Sequence, residues 1–338
     1  MKKILCLIMA LVMVASLVAC GSKTENPDDG SEQAPPEIVS YSVGCSASGG
    51  AYNIVSTGWC TLMNQVFPDK YSFTAETTGG ASANTALIET GECMFGVGGA
   101  GSTFEAYNAS AEWTQGQKML KSRAMWPMYA MSLTCFCMAD SGINSLDDLA
   151  GKTVACGSQG SGSLLSDILP AIGIDIKVHN DTWANSVAAL KDGTIDAVIT
   201  MAAGAWPSLV ETEATHEVKV LSFTDEQCEK VMEAYPYFVK STIPAGTYKC
   251  NANEDIQSCA QWAYAICSED LSADVVYELT KATFEHYDDM TAVYAGLGDG
   301  LKLENIPQMP FLFHEGAIKY YEENGVKMAD IAAGFDVK

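Results

Sequence analysis

From Ile38 onward the chain alternates short apolar runs with amphipathic stretches, and the turns that join them are rich in serine and glycine. IVSYSVGC (38–45) reads as a strand, SASGGAY as a turn and residues 52–66 as a helix. YSFTAET, a Gly-rich turn and a helix over 84–89 repeat the unit; CMFGVG and a helix around 104–108 repeat it again. LTCFCMAD, KTVACGS, IKVHN and DAVIT supply further strands, with helices over 164–171 and 186–191 between them. Strands that alternate with helices in this way build open, mostly parallel sheets covered on both faces, so the expected class is α/β. In such sheets ligands bind beyond the carboxyl ends of the strands, at helix N-termini.

Three of the strand-to-helix turns share a composition: Ser46 to Tyr52 (SASGGAY), Thr77 to Ser82 (TTGGAS) and Gly157 to Ser163 (GSQGSGS). Glycine lets backbone approach a ligand closely, and the helix that follows offers unpaired N–H groups at the positive end of its dipole. Taken singly, each turn reads as an ordinary N-cap. Three of them facing one cleft would make a site for a carboxylate or another small anion.

The start of the chain bears on location. Met1-Lys2-Lys3 followed by the apolar run from Ile4 to Val18 has the pattern of a secretory signal, too short for a structural membrane span. It ends at Leu17-Val18-Ala19-Cys20, which resembles the lipobox of bacterial lipoproteins, so Cys20 is the expected lipidated N-terminus of the exported protein. Residues 21–37 are polar, acidic and rich in Gly and Pro, the composition of a disordered tether. The formal net charge is −23 and becomes −25 once Lys2 and Lys3 leave with the signal. Such a surface repels phosphate backbones, which argues against a nucleic-acid partner. An anion site made of backbone N–H groups is compatible with it. Ten cysteines remain after Cys6 and Cys20, scattered without a CxxC pair. Cys135 and Cys137 share one strand face, so these thiols read as buried core filler, mostly reduced.

The motifs, taken together and in order, resemble the TAXI solute receptors, the ligand-capturing subunits of TRAP-type transporters. Ser48, Gly49, Gly50 and Tyr52 are similar to the first ligand loop of that family. Thr78, Gly79, Gly80 and Asn84 keep its TGG–N segment, with Ala81 where serine is usual. EAYN (105–108), the stretch from DSGINSL to Gly157, Gly160, Ser161, Gly162 and Ser163, then ALKDGTIDAVIT, YPYF, TIPAGTY and HEGAIKYYEENG complete the series. The resemblance implies a type II periplasmic-binding-protein fold with two lobes and a central cleft: residues 38–138 with 262–338, and residues 139–261. It also implies a monomer that binds a small organic anion, a dicarboxylate or an amino-acid-like molecule, and hands it to a membrane subunit.

By the same resemblance the ligand-binding set is Ser46, Ser48, Gly49, Gly50, Tyr52, Thr78, Gly79, Asn84, Gly160, Ser161, Gly162, Ser163, Trp183, Gly204 and Tyr248. Trp183 stands where the family often has Phe, and Gly204 lies in its hinge-side loop. The hydroxyls of Tyr52 and Tyr248 suit a ligand oxygen. One departure is Gly99-Ala100-Gly101, where the family often has Gln-Ser-Asp; smaller residues there imply a roomier, less polar wall.

Rival readings find less support. Gly96, Gly98 and Gly101 spell G-x-G-x-x-G, the dinucleotide fingerprint of a Rossmann oxidoreductase, but on the third βα turn of an exported chain. No G-x-S-x-G elbow occurs, the four histidines have no zinc spacing, and the GKT at 151–153 lacks the upstream glycine of a P-loop. No enzyme, cofactor or metal is expected. A lipoprotein that senses a ligand for a signalling receptor would share the same fold and cleft.

Overall fold

A computed structural model describes residues 38–48, 50–157, 163–309 and 311–328, the side chains of Ser163 and Gln308 excepted. The expectations for residues 1–37, lipidation of Cys20 among them, lie outside the described residues.

The N-terminal half is three successive strand–helix units: β1 (Val39–Gly44), α1 (Ala51–Val66), β2 (Tyr71–Glu76), α2 (Ala81–Thr90), β3 (Phe95–Gly99) and α3 (Ala100–Asn108). Helix α1 buries Val55, Trp59, Cys60 and Met63, a stripe at helical spacing that faces the sheet. Trp59 packs edge-on against Phe73 of β2 at 5.1 Å, and its indole N–H donates to Thr283 Oγ1 at 2.9 Å.

Two long strands follow a different rule. β4 (Ser122–Met138) and β10 (Ile256–Ser268) pair with each other antiparallel from Ser122↔Ser268 to Ser132↔Ala260. β10 also carries β3 on residues 263–267 and β9 (Val239–Ile243) on residues 256–260. Beyond Ser132, β4 pairs with β7 (Ala197–Ala202) and β8 (Val218–Leu221). β5 (Thr153–Ala155) and β6 (Lys177–His179) extend the sheet past β7. The order is β2-β1-β3-β10-β4-β7-β5-β6, with β8 on β4 and β9 on β10.

The sheet is therefore mixed and not mostly parallel as the repeated units suggested. β1–β2, β1–β3, β5–β6 and β5–β7 are parallel, whereas β4 and β10 pair antiparallel with every strand they meet. The reason is topological: β4 carries the chain out of one group of βα units and β10 brings it back. The architecture is mixed α/β, two groups of βα units joined by two long crossover strands.

β4 runs for 17 residues, of which the sequence pattern marks only the last stretch, LTCFCM. Its first half contains Pro127, which cannot donate to a ladder and belongs at a bulge. The register slips there, with Ala263 opposite Tyr129 and Tyr264 opposite Pro127. β8 and β9 were not anticipated at all.

The second half adds α4 (Ser163–Ala171), α5 (Trp183–Lys191), α6 (Pro207–Glu213) and α7 (Asp225–Ala234). After β10, α8 (Ala273–Glu285), α9 (Tyr287–Val293), α10 (Leu297–Gly300) and α11 (Glu315–Glu323) return to the first group of strands. Gly300 lies so close to β4 that a Cβ there would stand 1.8 Å from the Met128 carbonyl. Nine of the ten described cysteines are buried, Cys135 and Cys137 fully; Cys250 is exposed. No helix among the described residues is long and apolar enough to cross a membrane.

Candidate functional site

Helices α1, α2 and α3 start at Gly50, Gly80 and Gly99, so no N-cap side chain satisfies their first-turn N–H groups. Elsewhere the chain caps conventionally: Thr182, Thr224 and Ser272 accept from the third residue of α5, α7 and α8. The starts of α2 and α3 meet at Gly99, and α1 reaches it through the Tyr52 side chain. A Cβ built there would lie 3.6 Å from the Tyr52 hydroxyl (α1), 3.8 Å from the Ala81 methyl (α2) and 3.7 Å from Ser102 Oγ (α3). The Ser102 hydroxyl turns back and donates to the Gly99 carbonyl at 2.9 Å. In α3 the Gly101 N–H is already taken, donating to Gln261 Oε1 at 3.0 Å from β10.

Thr78 and Asn84 belong to the scaffold under this point. Asn84 is fully buried; its Nδ2 donates to the carbonyls of Cys45 at 2.7 Å and Val97 at 2.9 Å. Its Oδ1 accepts from the Thr78 hydroxyl at 2.6 Å, which in turn accepts from the Gly80 N–H. Both side chains hold the ends of β1 and β3 and the start of α2 in register. Ser48, Gly50 and Gly79 are exposed and Ser46 is half-buried beside them. Gly49 lies outside the described residues.

The second group of residues gathers after β5 and β7. Gly157 has φ of +89°, and a Cβ on it would stand 2.9 Å from the Trp183 ring, so both backbone and space demand glycine. Trp183 meets Trp206 edge-to-face at 5.3 Å. Tyr248 is buried and its hydroxyl accepts from the Trp206 N–H at 2.9 Å, which places it behind the aromatic pair. Of the third Ser/Gly turn, Gly160, Ser161 and Gly162 lie outside the described residues, and Ser163 opens α4 with no described side chain.

A cleft of about 300 Å³ opens where β4 and β10 change partners. Tyr129, Ser132 and Trp262 line it from the two long strands, Gly204 from the end of β7, Ser241 from β9 and Asp299 from α10. Tyr129 stacks on Tyr52 with centroids 6.2 Å apart and tilts against Tyr294 at 5.5 Å. Burial pushes the Tyr52 and Tyr129 hydroxyls far above the usual tyrosine range, so both stay protonated donors. Asp299 is the one charged residue of this lining, and its carboxylate pairs with Lys302 at 3.2 Å. The cleft thus offers neutral donors and aromatic surface, with no basic side chain.

The Gly99-Ala100-Gly101 departure does not give the uniformly roomier wall expected of it. Ala100 is buried, and a Cβ at Gly101 would meet Gln261 Oε1 and the Tyr237 ring, both at 3.2 Å. Gly99 is buried too, but a Cβ there would make only ordinary contacts, at 3.6–3.8 Å. Tyr129, Gln261 and Trp262 were not among the residues singled out in the sequence; the signal, a polar Gln261 within an apolar strand, was present.

The sequence profile of the NMT1-like family matches residues 43–325, the greater part of the chain. The chain belongs to the NMT1-like family. Similar solved structures include a Xanthomonas citri protein bound to ATP, at 11% identity over 84% of this chain and 94% of that one, with a TM-score of 0.49. Others are the probable amino-acid ABC transporter extracellular-binding protein of Bacillus subtilis (14%, 77% and 98%, TM-score 0.48) and the periplasmic aliphatic sulphonate binding protein of Escherichia coli (15%, 85% and 84%, TM-score 0.41).

In this NMT1-like chain the G-x-G-x-x-G glycines have packing explanations. A Cβ at Gly96 would crowd Asn84 and the Gly44 carbonyl at 3.2 Å, and one at Gly98 would stand 2.8 Å from Ile266. His314 is structural: Nδ1 accepts from the Gly316 N–H at the start of α11 and Nε2 donates to the Leu271 carbonyl. Among the described residues no cluster of three or more His, Cys, Asp or Glu converges on a metal position.

Proposed function

We propose that this NMT1-like protein is an exported, lipid-anchored solute-binding subunit of a TRAP-type transporter of the TAXI kind. It captures a small organic anion between two lobes, residues 38–138 with 262–338 and residues 139–261, and releases it unaltered to the membrane subunit. The observation that carries this reading is the set of three glycine-started helices, two of which begin side by side at Gly99 with the Tyr52 hydroxyl of the third beside them. Uncapped first-turn N–H groups stabilise an anion without a basic side chain. A solute held by both lobes favours the closed arrangement through its differential affinity, which is the signal a transporter reads.

A thermal-shift screen of organic acids and amino acids tests the reading, because a ligand that binds only the folded state raises apparent stability by RT ln(1 + [L]/Kd). Saturable stabilisation by at least one acid, recovered chemically unchanged, is expected. A flat response to the whole panel, or product formed beyond stoichiometry, contradicts it.

A further inference from the structure

Helix α7 and the start of β10 are tied together around two cysteines, Cys228 and Cys259. The Phe223 N–H donates to the Gln257 carbonyl at 2.9 Å, and the Gln257 N–H donates to Ser222 Oγ at 3.1 Å. The Gln257 side-chain amide donates to Asp225 Oδ1 at 3.1 Å and to Cys228 Sγ at 3.8 Å, while the Cys228 thiol lies 3.5 Å from the Ser258 carbonyl. Side chains alternate along a strand, and the pairing of β10 with β9 is regular here, so Cys259 projects from the same face as Gln257. The two thiols meet on that face, Cys259 donating to Cys228. Both are buried, yet Cys228 lies directly beneath surface groups: Asp225 and Lys240 are exposed and Gln257 is half-buried. The bond from Cys259 does most to hold the Cys228 thiol below the usual cysteine range; the Gln257 amide and the Lys240 ammonium assist, against burial and the Asp225 carboxylate. The same bond and burial push Cys259 up. Burial raises the other described thiols, so Cys228 is set apart as the nucleophile.

We propose that Cys228 and Cys259 are a redox pair, a dithiol in this structure, that a small hydroperoxide closes into a disulfide stapling α7 to β10. Burial selects the oxidant: a small neutral molecule can reach a sulfur one side chain below the surface, whereas a protein disulfide cannot. The Cys228 thiolate attacks the O–O bond and takes one oxygen as a sulfenic acid, and hydroxide leaves with the electron pair. The Cys259 sulfur then attacks the sulfenic sulfur. The S–S bond forms, the S–O bond breaks, and the Cys259 proton leaves with the departing oxygen as water. Two thiols and one hydrogen peroxide thus give one disulfide and two waters; each sulfur is oxidised by one electron and each peroxide oxygen reduced by one. Thiols already in contact need only side-chain rotation to close. The inference is independent of the solute-binding reading and stands or falls without it.

The test treats the reduced protein with equimolar hydrogen peroxide, counts thiols in denaturant and maps disulfide-linked peptides by mass spectrometry, on the wild type, Cys228→Ser and Cys259→Ser. In the wild type two thiols should disappear, the linked peptides should join Cys228 to Cys259 and not to Cys250 or Cys267, and a thiol reductant should restore both. The oxidised protein should melt about 5–10 °C above the reduced one, because the bond closes the loop from 228 to 259 in the unfolded chain. Cys259→Ser should keep a sulfenic acid on Cys228, captured by dimedone as the protein is denatured, and Cys228→Ser should give neither product. Oxidation that leaves Cys228 and Cys259 as thiols, a link from either to a different cysteine, or an unchanged or lower Tm on closure would overturn the inference. Should either variant not fold, the peptide map and melting curves of the wild type still decide.

Discussion

Asn84, the fourth residue of α2, donates to the Cys45 carbonyl at 2.7 Å, across a gap that exists because Gly44 and Gly96 have no side chains. The same amide nitrogen bonds Val97, so one side chain joins the ends of two parallel strands at the start of α2. The position of the site depends on this tie.

Asn84→Ala would remove a donor from the Cys45 and Val97 carbonyls and an acceptor from the Thr78 hydroxyl, of which Thr78 and Cys45 still have each other at 3.1 Å. Unsatisfied buried groups cost about 1–3 kcal/mol each, with partial relief from water entry, so a loss of about 2–4 kcal/mol is expected in urea unfolding. A change below about 0.5 kcal/mol would show that the amide is dispensable.

Gly99 and Gly101 should respond unequally to the same substitution. Gly99→Ser has contacts no closer than 3.6 Å at Cβ and should alter stability by less than about 0.5 kcal/mol. Gly101→Ser drives Cβ toward Tyr237 and Gln261 and should cost about 1–3 kcal/mol. Comparable Tm values for the two variants would contradict the packing described at Tyr237.

Gly157→Ala carries two penalties, a left-handed φ and contact with Trp183. Trp183→Leu made on top of it should recover only the steric part, leaving about 1 kcal/mol of backbone strain. Full recovery in the double variant would assign the whole effect to packing.

His314 gives a pH dependence with a definite sign. It is 2% exposed, and burial holds its pKa below the usual 6.5. The unfolded chain therefore binds more protons than the native one below about pH 6.5. Its stabilising share is complete above that value and is lost as the pH falls through it. Tm should drop from about pH 7.5 to about pH 5.5, and less steeply in His314→Asn, which keeps an N-cap acceptor. An identical slope in both proteins would place the titration elsewhere.

Much of the N-terminal half was legible because its structure is local. β1, α1 and β2 follow from periodicity within about ten residues, and the glycine turns announce the helix starts, two of which the structure brings together. The long strands were not legible in the same way. Pro127 interrupts the apolar pattern of β4, and only its pairing with Tyr264 across a bulge explains why the strand continues. Residues such as Tyr129 and Trp262 look like core in sequence; their place at a cleft comes from β4 and β10 changing partners, a relation between segments more than a hundred residues apart. Thr78 and Asn84 were recognised as important, but the sequence could not distinguish a group that touches ligand from one that holds the ligand loop.

The central claim is that a small organic anion is held by backbone N–H groups at glycine-started helices and is not transformed. Isothermal calorimetry of the purified protein against paired probes, each organic acid beside the amine of the same carbon skeleton, tests it most directly. Saturable one-to-one binding of an acid, absent for its amine and reversed intact on dialysis, is the predicted result. Binding of the amines alone, or of neither class across the panel, would contradict the account.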